Sequence, residues 1–326
     1  MASADFQRKV EQASELIRPH VRHTPTEFSH WLSKLGNAQV YIKWDSEQLT
    51  GSAKARGAFH KLLALKQRDP ALIKNGAIAA STGNHGLACS KAMSILGIKG
   101  VVYVPDMVDP QKKKMIEENG SMVKIVGHTC AEAEHEARVE SEDKEIPYVS
   151  PSNDWDVMEG QGTLGLELYQ DLPSVDVVFV AVGGGGLIGG IASYLKAVKP
   201  SIQVVGCETE MSPVMSKSVQ AGKILEMPSG DTLSDGTSGG AEQGSVAFPV
   251  CQEVVDDWVV VTEEEIAKAV YEVMDKHHKI VEGSAGVSFA SYIKTRQRWE
   301  GKTVAIVACG SNISMKNLKM IIQKFG

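Results

Sequence analysis

No run of about twenty apolar residues occurs in the 326-residue chain, so no segment of it reads as a membrane-crossing helix. Positive charge is not in excess either. The 34 basic and 40 acidic side chains are dispersed along the chain and leave a formal net charge of -6, which excludes a basic field able to hold nucleic acid or an anionic membrane surface. The segment Met1 to Lys9 reaches its charges without a hydrophobic stretch before them, and the expected localisation is cytoplasmic. Paired cysteines are missing as well. Cys89, Cys130, Cys207, Cys251 and Cys309 are far apart with no C-x-x-C, so neither a disulfide framework nor a structural zinc site is expected. There is no H-E-x-x-H, His277 and His278 leave a helix on different sides, and no repeat recurs at solenoid spacing.

What is present is an alternation of amphipathic helices and short apolar strands, the pattern of a helix-covered, largely parallel sheet. Phe6, Val10, Ala13 and Ile17 recur at helical spacing, and Val40 with Ile42 marks a strand. A polar turn, Leu49 to Gly57, leads into a helix around Ala58 to Lys66. The small-residue strand Ala77 to Ala80 runs directly into Ser81-Thr82-Gly83-Asn84-His85-Gly86, a polar loop at a strand-to-helix junction, where α/β sheets bind ligands. Further strands are expected at Val101 to Val104, Met122 to Val126, Val175 to Val182, Val204 to Cys207, Trp258 to Val261 and Val304 to Ala308. Asp109 and Pro110 should open one helix, Ala131 to Glu142 should form an acidic one, another should follow Gly162, and Thr262 with Glu265 forms a capping box. Met227 to Phe248 is Gly-rich, polar and too long for an ordinary connection, which marks it as a functional loop.

Two segments point to chemistry. Gly183-Gly184-Gly185-Gly186-Leu187 follows a strand and opens a helix, so its unhindered N-H groups and the positive helix end form a cup for a phosphate dianion. The same residues fit G-x-G-x-x-G through Gly184, Gly186 and Gly189, with Glu208 about twenty residues on, as a nicotinamide dinucleotide site would require. The second segment is Leu49-Thr50-Gly51-Ser52-Ala53-Lys54-Ala55-Arg56-Gly57-Ala58.

The Ser-x-Lys-x-Arg-Gly-Ala pattern of that segment resembles the fold-type II pyridoxal-phosphate enzymes, the serine and threonine dehydratases with serine racemase. The resemblance covers nearly the whole chain. It runs from Thr24-Pro25 through Ser81 to Gly86, Glu159-Gly160-Gln161-Gly162-Thr163, the tetraglycine turn, Ser234-Asp235-Gly236 and Gly310-Ser311-Asn312. It implies an α/β fold like the tryptophan synthase β chain, with two open twisted sheets covered by helices. It also implies pyridoxal 5'-phosphate as cofactor, Lys54 as Schiff-base residue and proton acceptor, and Gly183 to Leu187 as phosphate cup. Cys309 is implied as a neutral partner for the ring nitrogen. Ser81, Thr82, Gly83, Asn84 and His85 are implied to hold the substrate carboxylate, with Asn84 also near the cofactor ring hydroxyl and able to serve as a helix cap.

Three positions depart from the family pattern. Ala53 replaces an aromatic residue, implying a roomier pocket that admits a bulkier β-substituent such as phenyl. Thr82 stands where the racemase branch has a serine on the opposite face of the substrate, which makes racemisation the minor expectation. Glu208 matches one ligand of a divalent-cation site in that branch, but Val214 stands at the second, leaving Glu208 as a possible ligand for a monovalent ion only.

The expected domains are a large cofactor-binding one, residues 1–65 and 151–326, and a small mobile one, 66–150, carrying the carboxylate loop. The expected activity is a dehydratase converting a β-hydroxy amino acid (serine, threonine, phenylserine or hydroxyaspartate) to a 2-oxo acid and ammonia, in a homodimer. A serine racemase-like enzyme, a nicotinamide-dependent dehydrogenase built on the tetraglycine motif, and an amino-acid sensor without turnover are the alternatives.

Overall fold

The computed structural model describes residues 3–108 and 110–326. Among the described residues, nine strands form two sheets. β1 (Thr26–Phe28), β2 (Gln39–Lys43), β6 (Val177–Ala181), β7 (Gln203–Thr209), β8 (Asp257–Val261) and β9 (Thr303–Val307) make a six-stranded sheet in the order β1-β2-β9-β6-β7-β8. β1 alone runs antiparallel, pairing Thr26 with Lys43; every other pairing in that sheet is parallel. β3 (Ala77–Ala80), β4 (Gly100–Val104) and β5 (Met122–Ile125) make a separate parallel sheet of three strands. The chain between β2 and β6 therefore builds a second sheet before the first is complete.

The strands read as continuous apolar runs because helices cover both faces of a parallel sheet. All five residues of β6 and all five of β9 are buried. Behind them the helix Gly283–Thr295 is buried along most of its length, and Phe179 meets Tyr292 and Trp299 edge-on, each at 5.7 Å between ring centroids. In the smaller sheet β3 is buried throughout, whereas the edge strand β5 exposes Met122 and Ile125.

Local signals place most element ends. Thr262 and Glu265 form the expected capping box at the start of the helix Glu263–His277. Two helices start earlier than local propensity suggests. One runs Lys54–Arg68, so Lys54 sits in its first turn rather than in a preceding loop. The other runs Trp155–Asp171, capped by the Asp154 side chain, although Gly160, Gly162 and Gly165 argue for a break. Close packing explains the glycines: a Cβ on Gly190 of the helix Gly186–Val198 would come within 2.3 Å of the Met158 carbonyl and 2.7 Å of the Gly162 nitrogen. Among the described residues, the short elements with too little periodicity to be expected include β1 and the helices His30–Gly36, Pro70–Ile73, Val214–Ala221 and Ala247–Val254. Asp109 lies outside the described residues, and the helix it was expected to open is seen as Pro110–Glu118.

A buried ion network locks β2 to the two early-starting helices. The Arg56 guanidinium, fully buried, pairs with Asp45 and Glu167 at 2.7 Å each and donates to Thr163 Oγ1. Burial alone would weaken its charge, but the two carboxylates raise its pKa above the ordinary value. Lys43, also fully buried, reaches Glu167 at 3.0 Å and donates to the Thr24 carbonyl at 2.7 Å.

Candidate active site

Lys54 comes to the carboxyl end of the main sheet through a pair of backbone ties. The Ala53 N-H donates to the Cys309 carbonyl at 2.9 Å, and Ser52 bridges to Gly310. The Lys54 ammonium donates to the Pro151 carbonyl at 3.0 Å. Its surroundings are poor in water, so desolvation lowers its pKa from the ordinary lysine value, against opposing pulls from Cys309, Cys89 and Glu282. A lysine of lowered pKa is one that can act as an amine nucleophile and accept a proton.

The tetraglycine turn and this lysine line one pocket. Gly185 takes φ +87°, open to glycine, while a Cβ on Gly184 would approach Ser152 Oγ to 2.3 Å and one on Gly183 the Thr237 carbonyl to 2.8 Å. The turn delivers the first amides of the helix Gly186–Val198 to the pocket. Cys309, at the end of β9, closes another wall. Burial pushes its thiol pKa up, and Glu282 adds to the effect, so the group is neutral.

The loop after β3 enters from the smaller sheet. The Gly83 N-H donates to Ser81 Oγ at 3.1 Å, and a Cβ at Gly86 would meet the Ser81 carbonyl oxygen at 2.3 Å, which requires glycine there. Asn84 opens the helix Asn84–Leu96 but does not cap it, contrary to expectation. Its Nδ2 donates to Glu282 Oε1 and its Oδ1 accepts from Asn312 Nδ2, both at 2.7 Å, so the side chain spans outward to two other loops. The cap residue is Gly83, without a side-chain bond, which leaves the first-turn N-H groups for an anion. His85 is buried with Nε2 against the Val149 carbonyl at 2.7 Å. Burial and then the Lys54 charge lower its pKa to about 3, so its ring is neutral. Thr82 lies half-buried on the same loop.

The expected residues are thus divided by position. Lys54, Asn84, Gly183 to Leu187 and Cys309 line one pocket, whereas Ser81, Thr82, Gly83 and His85 lie on the loop leading to it. Glu208 stands elsewhere in function: both carboxylate oxygens accept N-H groups, from Met215 at 2.8 Å and Ser216 at 3.1 Å, at the start of the helix Val214–Ala221. Burial raises its pKa to about 7. A carboxylate occupied in this way is not aimed at a ribose, which removes the support that Glu208 lent to a dinucleotide site.

Glu282 is the principal residue missed in the sequence. It precedes the helix Gly283–Thr295, is buried, and accepts from Asn84 Nδ2 and, at 3.1 Å, from the Asn312 N-H. Its pKa rises to about 7, chiefly through burial and secondly through Asp235. Nothing in its immediate sequence distinguishes it, because both partners are distant along the chain. Gln161 and Ser152 also line the pocket; Gln161 belongs to the Glu159 to Thr163 motif, which was the available signal.

A family model for pyridoxal-phosphate dependent enzymes matches residues 17–310, and the chain belongs to that family. Within it the similar proteins include threonine dehydratases and serine racemases. The chain is 35% identical to an L-threonine ammonia-lyase of Geobacter sulfurreducens over 97% of its own length and 77% of that protein. In structure it matches the processed threonine deaminase isoform 2 of Solanum lycopersicum with a TM-score of 0.92, at 28% identity over 99% of this chain and 94% of that one. Maize serine racemase matches with a TM-score of 0.91, at 27% identity over 99% and 98%. Two open sheets covered by helices, the fold implied by the sequence, is the fold present. Family membership overturns the dehydrogenase alternative.

The pocket fits pyridoxal phosphate on its own features. It places one amine, one glycine-lined helix N-terminus and one neutral thiol around a single pocket. It also buries polar atoms that have no partner among the described residues, Ser52 Oγ and both amide atoms of Gln161. Such atoms cost free energy unless a polar guest completes them.

Proposed function

We propose that this chain is an ammonia-lyase acting on β-hydroxy amino acids of the serine and threonine class, releasing a 2-oxo acid and ammonia. The observation that carries the reading is the convergence of Lys54 and the glycine turn with the loop from the smaller sheet around one pocket. Relatives named as threonine dehydratases and ammonia-lyases support the reaction class.

Pyridoxal phosphate, when bound, supplies an aldehyde for amines and a ring that withdraws electrons from the substrate α-carbon. The chain's residues divide the remaining work. Gly183 to Leu187 offer N-H groups to the phosphate, and the Ser81 to His85 loop offers first-turn N-H groups to the substrate carboxylate. Lys54 Nζ, held at 3.0 Å from the Pro151 carbonyl, takes the α-proton. The neutral Cys309 thiol leaves the ring nitrogen without a charged partner, which limits electron withdrawal and favours loss of the β-hydroxyl over long storage of charge.

Residues 66–150 act, in this reading, as a unit that closes on substrate over the segments 1–65 and 151–326. Two ion pairs support closure, since each joins that segment to the long loop near the pocket: Lys112 with Asp235 at 2.9 Å and Arg138 with Glu242 at 2.8 Å. A cytoplasmic homodimer is retained as part of the proposal, and sedimentation equilibrium tests the oligomer. Among the described residues no helix is long and apolar enough to cross a membrane.

Purified protein incubated with L-serine, L-threonine, phenylserine and hydroxyaspartate, and assayed for ammonia and 2-oxo acid, tests the proposed activity. Equal amounts of both products from at least one of them are expected. Amino acid consumed only to its enantiomer counts against the lyase reading.

A further inference from the structure

Gln161 lies in the middle of the helix Trp155–Asp171 with 1% of its surface exposed, and neither its Nε2 nor its Oε1 has a hydrogen-bond partner among the described residues. A buried primary amide left in that state is destabilising unless a polar guest completes it. Two neighbouring glycines fix its position. Its Nε2 lies 3.1 Å from where a Cβ on Gly57 would stand, one turn after Lys54. Its backbone carbonyl carbon lies 3.2 Å from where a Cβ on Gly190 would stand, one turn after Gly186. Gln161 therefore sits between the two helices that carry the lysine and the phosphate cup, with its backbone against the second and its side-chain amide against the first, and it lines the pocket they share.

We propose that Gln161 holds the cofactor phosphate, its Nε2 donating a hydrogen bond that supplements the backbone N-H groups of the glycine turn. The inference rests on the cofactor occupying this pocket, as the proposed function requires. Other polar features of the cofactor have candidates of their own. Cys309 stands for the ring nitrogen, and Asn84 stands for the ring hydroxyl. The phosphate has the largest number of acceptor lone pairs, and among the described residues the one cationic side chain lining the pocket, Lys54, is taken up by the aldehyde carbon. A neutral donor beside the helix end is the remaining means of binding the dianion more tightly. Ser52 Oγ, 1% exposed and equally unpartnered, lines the pocket with Gln161.

The test compares pyridoxal 5'-phosphate with unphosphorylated pyridoxal on the cofactor-stripped protein, by absorbance titration, for the unmodified chain and for Gln161→Leu, Gln161→Asn and Gln161→Glu. Thermal unfolding of each stripped protein checks that it is folded, and the shorter Asn variant serves if the Leu variant does not fold. Expected is a loss of at least about tenfold in affinity for the phosphorylated form in Gln161→Leu, about 1.4 kcal/mol, with pyridoxal affected less than about twofold. Gln161→Glu should lose more, because a carboxylate opposes the dianion, and the 31P resonance of bound cofactor should move in Gln161→Asn. Equal loss for both compounds, or no loss for either, overturns the assignment. Failure of the unmodified chain to bind either compound at Lys54 would instead defeat the functional reading on which it rests.

Discussion

Ala53 and Cys309, 256 positions apart in the numbering, are joined by a backbone hydrogen bond of 2.9 Å that sets Lys54 beside the thiol. Borohydride reduction of the cofactor-loaded protein followed by peptide mapping should place the pyridoxyl group on Lys54; a label on Lys43 or Lys61 contradicts the assignment. Lys54→Ala should lose at least about three decades of ammonia release while remaining folded. Cys309→Ser should keep cofactor and activity, since serine is also neutral. Cys309→Asp, which puts a carboxylate beside the ring nitrogen, should change the absorption spectrum and the ratio of elimination to racemisation.

Glu282 gives stability a particular pH dependence. Its folded pKa, about 7, lies above the ordinary carboxylate value of 4.5, so the folded chain binds this proton more tightly than the unfolded one. The resulting stabilisation is complete below the ordinary value and is lost as pH rises through about 7. Between pH 5 and 8, Glu282→Gln should therefore lose less stability than the unmodified protein, by on the order of 2–3 kcal/mol in urea titrations. Glu208 behaves in the same direction, so some slope should persist in the variant.

The ion pairs Lys112–Asp235 and Arg138–Glu242 should act on substrate binding more than on folding. Both are partly exposed, and each contributes less than about 1 kcal/mol to stability. The double variant Lys112→Ala with Arg138→Ala should raise KM several-fold with kcat changed less than about twofold. Added salt should raise KM of the unmodified enzyme and leave that of the double variant nearly constant. A drop in kcat alone speaks against closure through these contacts.

Thr82 bears on the choice of reaction. Reprotonation on the second face needs an oxygen acid free to rotate, and the β-branched threonine restricts χ1. Ammonia release should exceed enantiomer formation by at least about tenfold, and Thr82→Ser should narrow that gap, as measured by chiral chromatography. An unmodified enzyme that accumulates enantiomer faster than 2-oxo acid is a racemase.

Removal of the Arg56 side chain should be severe. Arg56→Met leaves Asp45 without its cation and Glu167 with Lys43 alone, all buried, and should cost about 3–5 kcal/mol in denaturant titrations. Arg56→Lys should not restore it, since one ammonium cannot reproduce the fork to both carboxylates.

Features set by local chemistry were legible before any coordinates. The glycine turn, the Ser81 to Gly86 loop and the Lys54 segment each sit at a strand-to-helix junction, where side-chain type and backbone demand agree. What stayed hidden depends on distant partners. Gly162 reads as a breaker until Gly190 is seen against it, Asn84 reads as a cap until Glu282 and Asn312 take its side chain, and Glu282 has no local signature. β1 has three residues, too few for any period to appear.

The pairing of β2 with β9 also orders events during synthesis. Val40 aligns with Val304 and Lys43 with Val307, so a strand made early waits for one made last. A nascent chain that has not reached residue 303 contains Lys54 but neither the neighbour strand nor the carbonyl that anchors its turn. The three-stranded sheet, whose strands follow one another directly, can pair while the rest is still being made. A chain cut short of β9 therefore lacks both the strand that pairs with β2 and the Cys309 carbonyl that accepts from the Ala53 N-H beside Lys54.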